Sequence, residues 1–187
     1  MKQHILPAFR LTLVCIVVFM GFYTLLIWSI AQASPGKGNG ETVSVNNKIE
    51  GYQLEGQSFT GDRYFDSRPS AVGYNAAGSG ASNKGPSNPG YLKEVQNRID
   101  TFMVHNPSVK KDDIPSELVT ASGSGLDPDL SPEGAYVQVE RIAKSRKIPD
   151  EKIKELVAQQ IQKPLFGLFG PQKVNVLQLN IKLDELK

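Results

Sequence analysis

Two histidines and one cysteine are the whole stock of imidazole and thiol in this 187-residue chain: His4, His105 and Cys15. Zinc sites draw most of their ligands from Cys and His, and Cys15 lies in a run without charges, so no zinc cluster is expected. A Ser/His/Asp triad has to use His105, which stands beside Asn106 and Pro107 without a nucleophile-elbow sequence and reads as a surface histidine. Lys84 follows the glycines of AAGSGASNKGPSNPG (76–90), but a phosphate loop places Gly before its lysine and Ser or Thr after it. Here the neighbours are Asn83 and Gly85. Asp127 and Asp129 in SGLDPDLSP could form a carboxylate pair for acid/base or hard-cation work; the prolines and Ser131 favour a rigid, acidic turn into a helix. Arg68 in YFDSRPSA can grip a carboxylate or phosphate, or pair with Asp62 or Asp66, and Tyr64 and Phe65 beside it suit a protein interface.

The elements that position these groups follow from pattern. SNPGYLKEVQNRIDTFMVHNP predicts a helix capped by Ser87 or Asn88, with Pro89 in its first turn and Leu92, Val95, Ile99, Phe102 and Met103 on one face. Ser131 is the expected cap of a second helix that buries Ala135, Val139, Ile142 and Ala143, with Lys144, Arg146 and Lys147 at its C-terminal end. A third opens at Pro149, buries Ile153, Leu156, Val157 and Ile161, and stops before Pro164. In KVNVLQLNIKLDEL the alternation of Leu177, Leu179, Ile181 and Leu183 with polar residues predicts a strand, and Val43 and Val45 suggest another. Helices and strands without βαβ repeats give an α+β fold.

Ahead of this unit, Leu11 to Ala33 carries no charge over 23 residues, roughly 34 Å as a helix. AQAS at 31–34 resembles a signal-peptidase site, yet the run is longer than a signal h-region, and Tyr23 and Trp28 suit interfacial anchors. Val14 before Cys15 does not fit a lipoprotein anchor. The expected organisation is a cytoplasmic tail (1–10), a transmembrane helix (11–33), a linker (34–41) and an extracytoplasmic α+β domain (42–187). Lys2 and Arg10 before the span, against Lys37 after it, set that orientation and a plasma-membrane location, the inner membrane in a Gram-negative cell. A net charge of +2 with mixed signs leaves no basic stripe for nucleic acid. With no recognisable catalytic apparatus, a subunit is favoured over a secreted enzyme or an independent membrane-tethered binding module.

Several phrases occur together in order: YFDSRPSA (64–71), YN (74–75), SGASNKGPSNP (79–89), LVTASGSGLDPDLSP (118–132), QVERIAKSR (138–146) and VNVLQLN (174–180). Behind one N-terminal anchor they resemble the C subunit family of the Kdp potassium-transporting ATPases. The resemblance implies a non-pumping accessory subunit needed for assembly, a catalytic chaperone that raises the ATP affinity of a P-type ATPase subunit. It also implies a potassium-channel-like partner, a small single-span subunit and contact with membrane lipid; ATP belongs to the ATPase subunit, with no cofactor assigned to this chain. Its motif residues are the interface candidates: Tyr64, Phe65, Arg68, Pro69, Ser70, Asn75, Asn83, Gly85, Pro86, Ser87, Asn88, Asp127, Gln138, Arg141 and Asn175. Gln160 and Ile161 depart from the family's His-Thr, and Pro171 and Gln172 from its Glu-Pro, which weakens any role given to that loop.

Overall fold

The structure, a computed structural model, describes residues 2–186 and divides into two compact units between Thr42 and Val43. The first unit is a helix of three windings: α1 (Lys2–Cys15), a π-helical stretch (Ile16–Tyr23) and α2 (Thr24–Gln32). Gln3–Gln32 is long and apolar enough to cross a membrane, with none of its most apolar window buried. The helix runs without a break through residues assigned to a tail, because Ile5, Leu6 and Phe9 continue its apolar surface. Pro7 lies inside α1, past its first turn, and so leaves the Gln3 carbonyl without an i+4 amide donor.

The second unit mixes helices of five to seventeen residues with short strands, the α+β class expected. β1 (Thr42–Val45) and β2 (Lys48–Tyr52) form a two-stranded hairpin across Asn46 and Asn47, whose φ values of 51° and 64° are the left-handed pair that a tight hairpin turn requires. α3 (Pro89–His105) is capped by Asn88, whose Oδ1 accepts from the Tyr91 amide at 3.0 Å. Only Phe102 of its apolar stripe is buried; Leu92 and Met103 are exposed.

The expected second helix is two. α4 (Pro132–Tyr136) begins at Ser131, whose Oγ accepts from the Gly134 amide at 3.0 Å, and α5 (Val139–Arg146) follows after Val137 and Gln138. α5 ends in Lys147, at a left-handed φ of 59°. α6 (Asp150–Gln160) buries Ile153, Leu156 and Val157 as its spacing predicts.

The expected C-terminal strand is overturned. β3 (Asp129–Leu130) pairs antiparallel with β4 (Val174–Asn175), in the register Asp129↔Asn175 and Leu130↔Val174, and the chain then turns at once into α7 (Val176–Glu185). Asn175 makes the switch: its Oδ1 accepts from the Gln178 amide at 3.0 Å, capping the helix. Val176, Leu179, Asn180 and Leu183 are buried, an i, i+3, i+4, i+7 set that the alternating leucines overlay in the sequence. α7 packs on α6, which also meets α4 and α5. Ile142, Ile153, Val157, Val174, Leu179 and Leu183 are wholly buried in one core with Phe65.

Asn175 also donates from Nδ2 to the Gln53 carbonyl at 2.7 Å. Replacing Asn175 with Ala therefore removes a cap and a tertiary bond together, and chemical denaturation should show a loss of about 1–3 kcal/mol. A loss under ~0.5 kcal/mol would mean that α7 does not start there.

Candidate functional site

YFDSR (64–68) belongs to no helix or strand. Its buried backbone is matched instead by side-chain amides. Asn180 of α7 accepts from the Phe65 N–H (2.8 Å) and donates to the Phe65 carbonyl (3.0 Å). Gln138, between α4 and α5, accepts from the Asp66 N–H (2.8 Å) and donates to the Gly134 carbonyl (2.9 Å), with a longer contact to the Asp66 carbonyl (3.4 Å). Both carboxamides are buried, so each mimics a neighbouring strand where water cannot reach.

Arg141 of α5 fixes this clip from below. Its side chain is 3 % exposed; Nη2 donates to Gln138 Oε1 (2.8 Å) and Asp66 Oδ2 (3.0 Å), and Nε donates to Asn106 Oδ1 (3.1 Å). Asn106 is itself buried, its Nδ2 donating to the Phe102 carbonyl at 2.9 Å, so the network reaches the end of α3. Asp62 stands 4.0 Å from Arg141 and 2.7 Å from His105 Nδ1, which accounts for His105 as a surface histidine with an acidic neighbour. Covering of the Asp66 carboxyl by the surrounding chain raises it above the ordinary carboxylate range, against the pull of Arg141 and His105. At the opposite end of the motif Arg146 caps the Tyr64 ring at 4.9 Å and donates to the Arg63 carbonyl (2.7 Å) and Asp184 (2.6 Å).

Arg68 pairs with Asp127 at 2.8 Å, not with Asp62 or Asp66. The partner is 59 residues away because glycines let three irregular segments lie side by side. Gly56 donates to the Leu126 carbonyl (2.7 Å), Ser122 to that of Pro69 (3.2 Å), and Gly80 to that of Ser124 (2.8 Å). Gly125 sits at a φ of 69°, where an added Cβ would meet Val72 Cγ2 at 2.6 Å and the Gly80 carbonyl at 2.8 Å. Tyr74 donates to the Arg68 carbonyl at 2.8 Å, and burial holds its phenol above its ordinary range, in the donor form. Asp127 also accepts from the Asp129 amide (3.1 Å), and Asp129 pairs with Lys173 (2.6 Å); the two acids are engaged separately rather than aimed at a shared ion. No group of three potential metal ligands occurs among the described residues.

The sequence-singled residues thus fall into two sets. Phe65, Gln138, Arg141 and Asn175 are buried and act by holding others, while Tyr64, Arg68, Pro69, Ser70 and Asp127 are half-buried. Asn75, Asn83, Gly85, Pro86, Ser87 and Asn88 are exposed on a loop pinned at both ends: Asn75 Oδ1 accepts from the Ala77 amide at 3.1 Å and Asn88 caps α3, where Lys84 pairs with Glu94. That contact lowers the Glu94 carboxyl below its ordinary range. Asn180 was passed over because it reads as the polar side of an alternating strand, while Asp66 and Asn106, read only as neighbours of Arg68 and His105, take their roles from contacts with the distant Arg141.

Asn180→Leu keeps the volume but leaves the Phe65 N–H and carbonyl unpaired in the core; denaturation of the chain in mild detergent should show a loss of about 3 kcal/mol or more. Lys182→Ala, at an exposed position on the same helix, should stay within ~0.5 kcal/mol. Asp66 gives a pH signature. Its folded-state carboxyl binds a proton more tightly than the ordinary one, so its contribution to stability falls as pH rises from about 3.9 through the raised value and is level above it. The stability of the native chain relative to Asp66→Asn should decline across that window; a rising difference would reverse the assignment.

The whole chain also aligns with known proteins. A family model described as "KdpC: K+-transporting ATPase, c chain" matches residues 5–185. A "Potassium-transporting ATPase KdpC subunit" of Flavobacterium psychrophilum is 56 % identical over 185 residues, covering 99 % of this chain and 100 % of that protein. Proteins of the same description from Bacteroides fragilis and Bacillus cereus are 50 % and 45 % identical, each over 99 % of this chain and 98 % and 97 % of their own lengths. A match of this length and identity makes the chain a member of the KdpC family of K+-transporting ATPase c chains.

Proposed function

We propose that this chain is the accessory, non-pumping subunit of an ATP-driven potassium uptake complex, required for its assembly and raising the ATP affinity of the P-type ATPase subunit indirectly. The single observation that carries the reading is the end-to-end likeness to potassium-transporting ATPase subunits of a chain with one membrane-length helix among its described residues and a second compact unit. On this reading the helix is a signal anchor with its N-terminus cytoplasmic, since Arg10 precedes the apolar run and Lys37 alone follows closely.

The second unit then lies outside the cytoplasm, away from nucleotide. It acts by docking on the external face of a channel-like partner through the exposed 75–88 loop and the half-buried Tyr64 and Arg68. The buried clip makes this surface rigid. A rigid subunit biases a transport cycle only if it contacts its partner differently in two states of that cycle. ATP affinity changes through that difference, without a phosphate site on this chain.

Kinetics of the detergent-purified complex with and without this subunit test the proposal. Omission should raise the half-saturating ATP concentration about fivefold or more, and re-addition should reverse it. An unchanged value overturns the coupling, and a photoreactive ATP analogue that labels this chain overturns the indirect route.

A further inference from the structure

Between α6 and β4 the chain forms a narrow finger. Gln162 and Lys173 exchange backbone hydrogen bonds at its base (2.8 and 3.2 Å), and Leu165 and Phe169 exchange two more near the tip (2.9 and 3.0 Å). Phe166 and Gly167, at φ values of 54° and 73°, close the turn, and the Gly167 and Leu168 amides donate to the Pro164 and Leu165 carbonyls (2.9 and 3.1 Å). The base continues into Val174, which is wholly buried. The finger is therefore ordered before it meets anything, and an interaction at its tip pays little further backbone entropy.

That tip is apolar on every side. Leu165, Phe166, Leu168 and Phe169 are 64 %, 84 %, 80 % and 65 % exposed. Scattered exposed leucines are ordinary, but four large apolar side chains on one ordered turn form an interaction device. Residues 162–173 contain Lys163 and Lys173 and no Asp or Glu; Lys173 is held by Asp129, whereas Lys163 is exposed and makes no ion pair among the described residues.

We infer that the finger inserts its tip into the interfacial layer of the bilayer, with Lys163 at the level of anionic phosphates. The inference rests on the membrane-anchored reading of this chain. Lipid is favoured over a protein cleft by two observations. The exposure of Phe166 and Leu168 leaves no single face to match a groove, and a fluid interface accommodates all sides at once. The apolar tip with a cation behind it has the order of chemistry found from hydrocarbon to headgroup. The chain's own apolar helix supplies the membrane, so insertion is an intramolecular event and needs only modest intrinsic affinity.

The test uses the full chain in lipid nanodiscs, with Cys15→Ala leaving one thiol to place. Leu168→Cys and, separately, Lys110→Cys on an exposed turn carry a nitroxide. Extraction by alkaline carbonate first establishes whether the chain is embedded; release into the supernatant overturns the anchored reading itself. In embedded chains, the label at 168 should be relaxed by oxygen in preference to a water-soluble nickel chelate, and the label at 110 the reverse. The preference at 168 should strengthen in discs containing phosphatidylglycerol and lose that dependence in Lys163→Gln. Replacing both Phe166 and Phe169 with Ser should cut the protected population at least tenfold, on the order of one buried aromatic's contribution. A label at 168 that stays in water in the lone chain overturns insertion, and if it becomes shielded only on assembly with partner subunits the occupant is a protein cleft.

Discussion

A buried segment outside any helix or strand has to find partners for its peptide groups, and this requirement organises the second unit. Phe65 and Asp66 satisfy it with the carboxamides of Asn180 and Gln138, which lie 42 residues apart in sequence. Gln138 Oε1 is shared between the Asp66 amide and Arg141, so the guanidinium orients the very atom that holds the backbone. The gap between α4 and α5 falls at the residue that must turn inward to do this. A continuous helix would keep Gln138 tied to its own helix's periodicity, while the break frees it to reach both Gly134 and Asp66.

Around this clip the unit uses backbone in place of side-chain bulk. The glycines of 56, 80 and 125 bring three loops within hydrogen-bond distance, and Arg68 and Asp127 close the seam between them. A composition of Gly, Ser and Asn, often that of a tether, here serves close approach. The exposed stretch from 81 to 88 is anchored on one side by this seam and on the other by the Asn88 cap, which is why an otherwise polar, small-residue loop can present a fixed outline.

Much of this was legible in the sequence, and what was not has definite physical causes. The helices at 89–105 and 150–160 announce themselves by caps and period, and the apolar N-terminal run by its length. The C-terminal helix did not, because Leu177, Leu179, Ile181 and Leu183 satisfy a period of two while Val176, Leu179 and Leu183 satisfy one near 3.6. The cap at Asn175 arbitrates between them, and a single polar residue beside a valine pair carries little weight until its hydrogen bond is seen. The long-range pairs were out of reach for a different reason: nothing local in YFDSR distinguishes Asp127 from Asp62 or Asp66 as the partner of Arg68, since the choice is made by the glycine seam. Asn180 looked like the polar side of a strand, and its burial follows only from the helix.

The π-helical stretch from Ile16 to Tyr23 bears on how the first unit meets its neighbours in a bilayer. Thr24 Oγ1 donating to the Phe19 carbonyl at 3.2 Å, five residues back, marks the wider winding. Each such turn takes in more residues than an α-turn, so the angular position of every side chain after Tyr23 is displaced from what a single helical wheel drawn from residue 2 assigns. The two ends of the anchor therefore offer independently phased stripes, and a ridge matched to Leu6, Phe9 and Leu13 says nothing about which of Leu25, Ile27 or Trp28 shares its side. Gly21, with no Cβ and no atom within 4 Å of where one would sit, is the point of least side-chain bulk within the phase change, and a residue without a Cβ permits close approach of backbones.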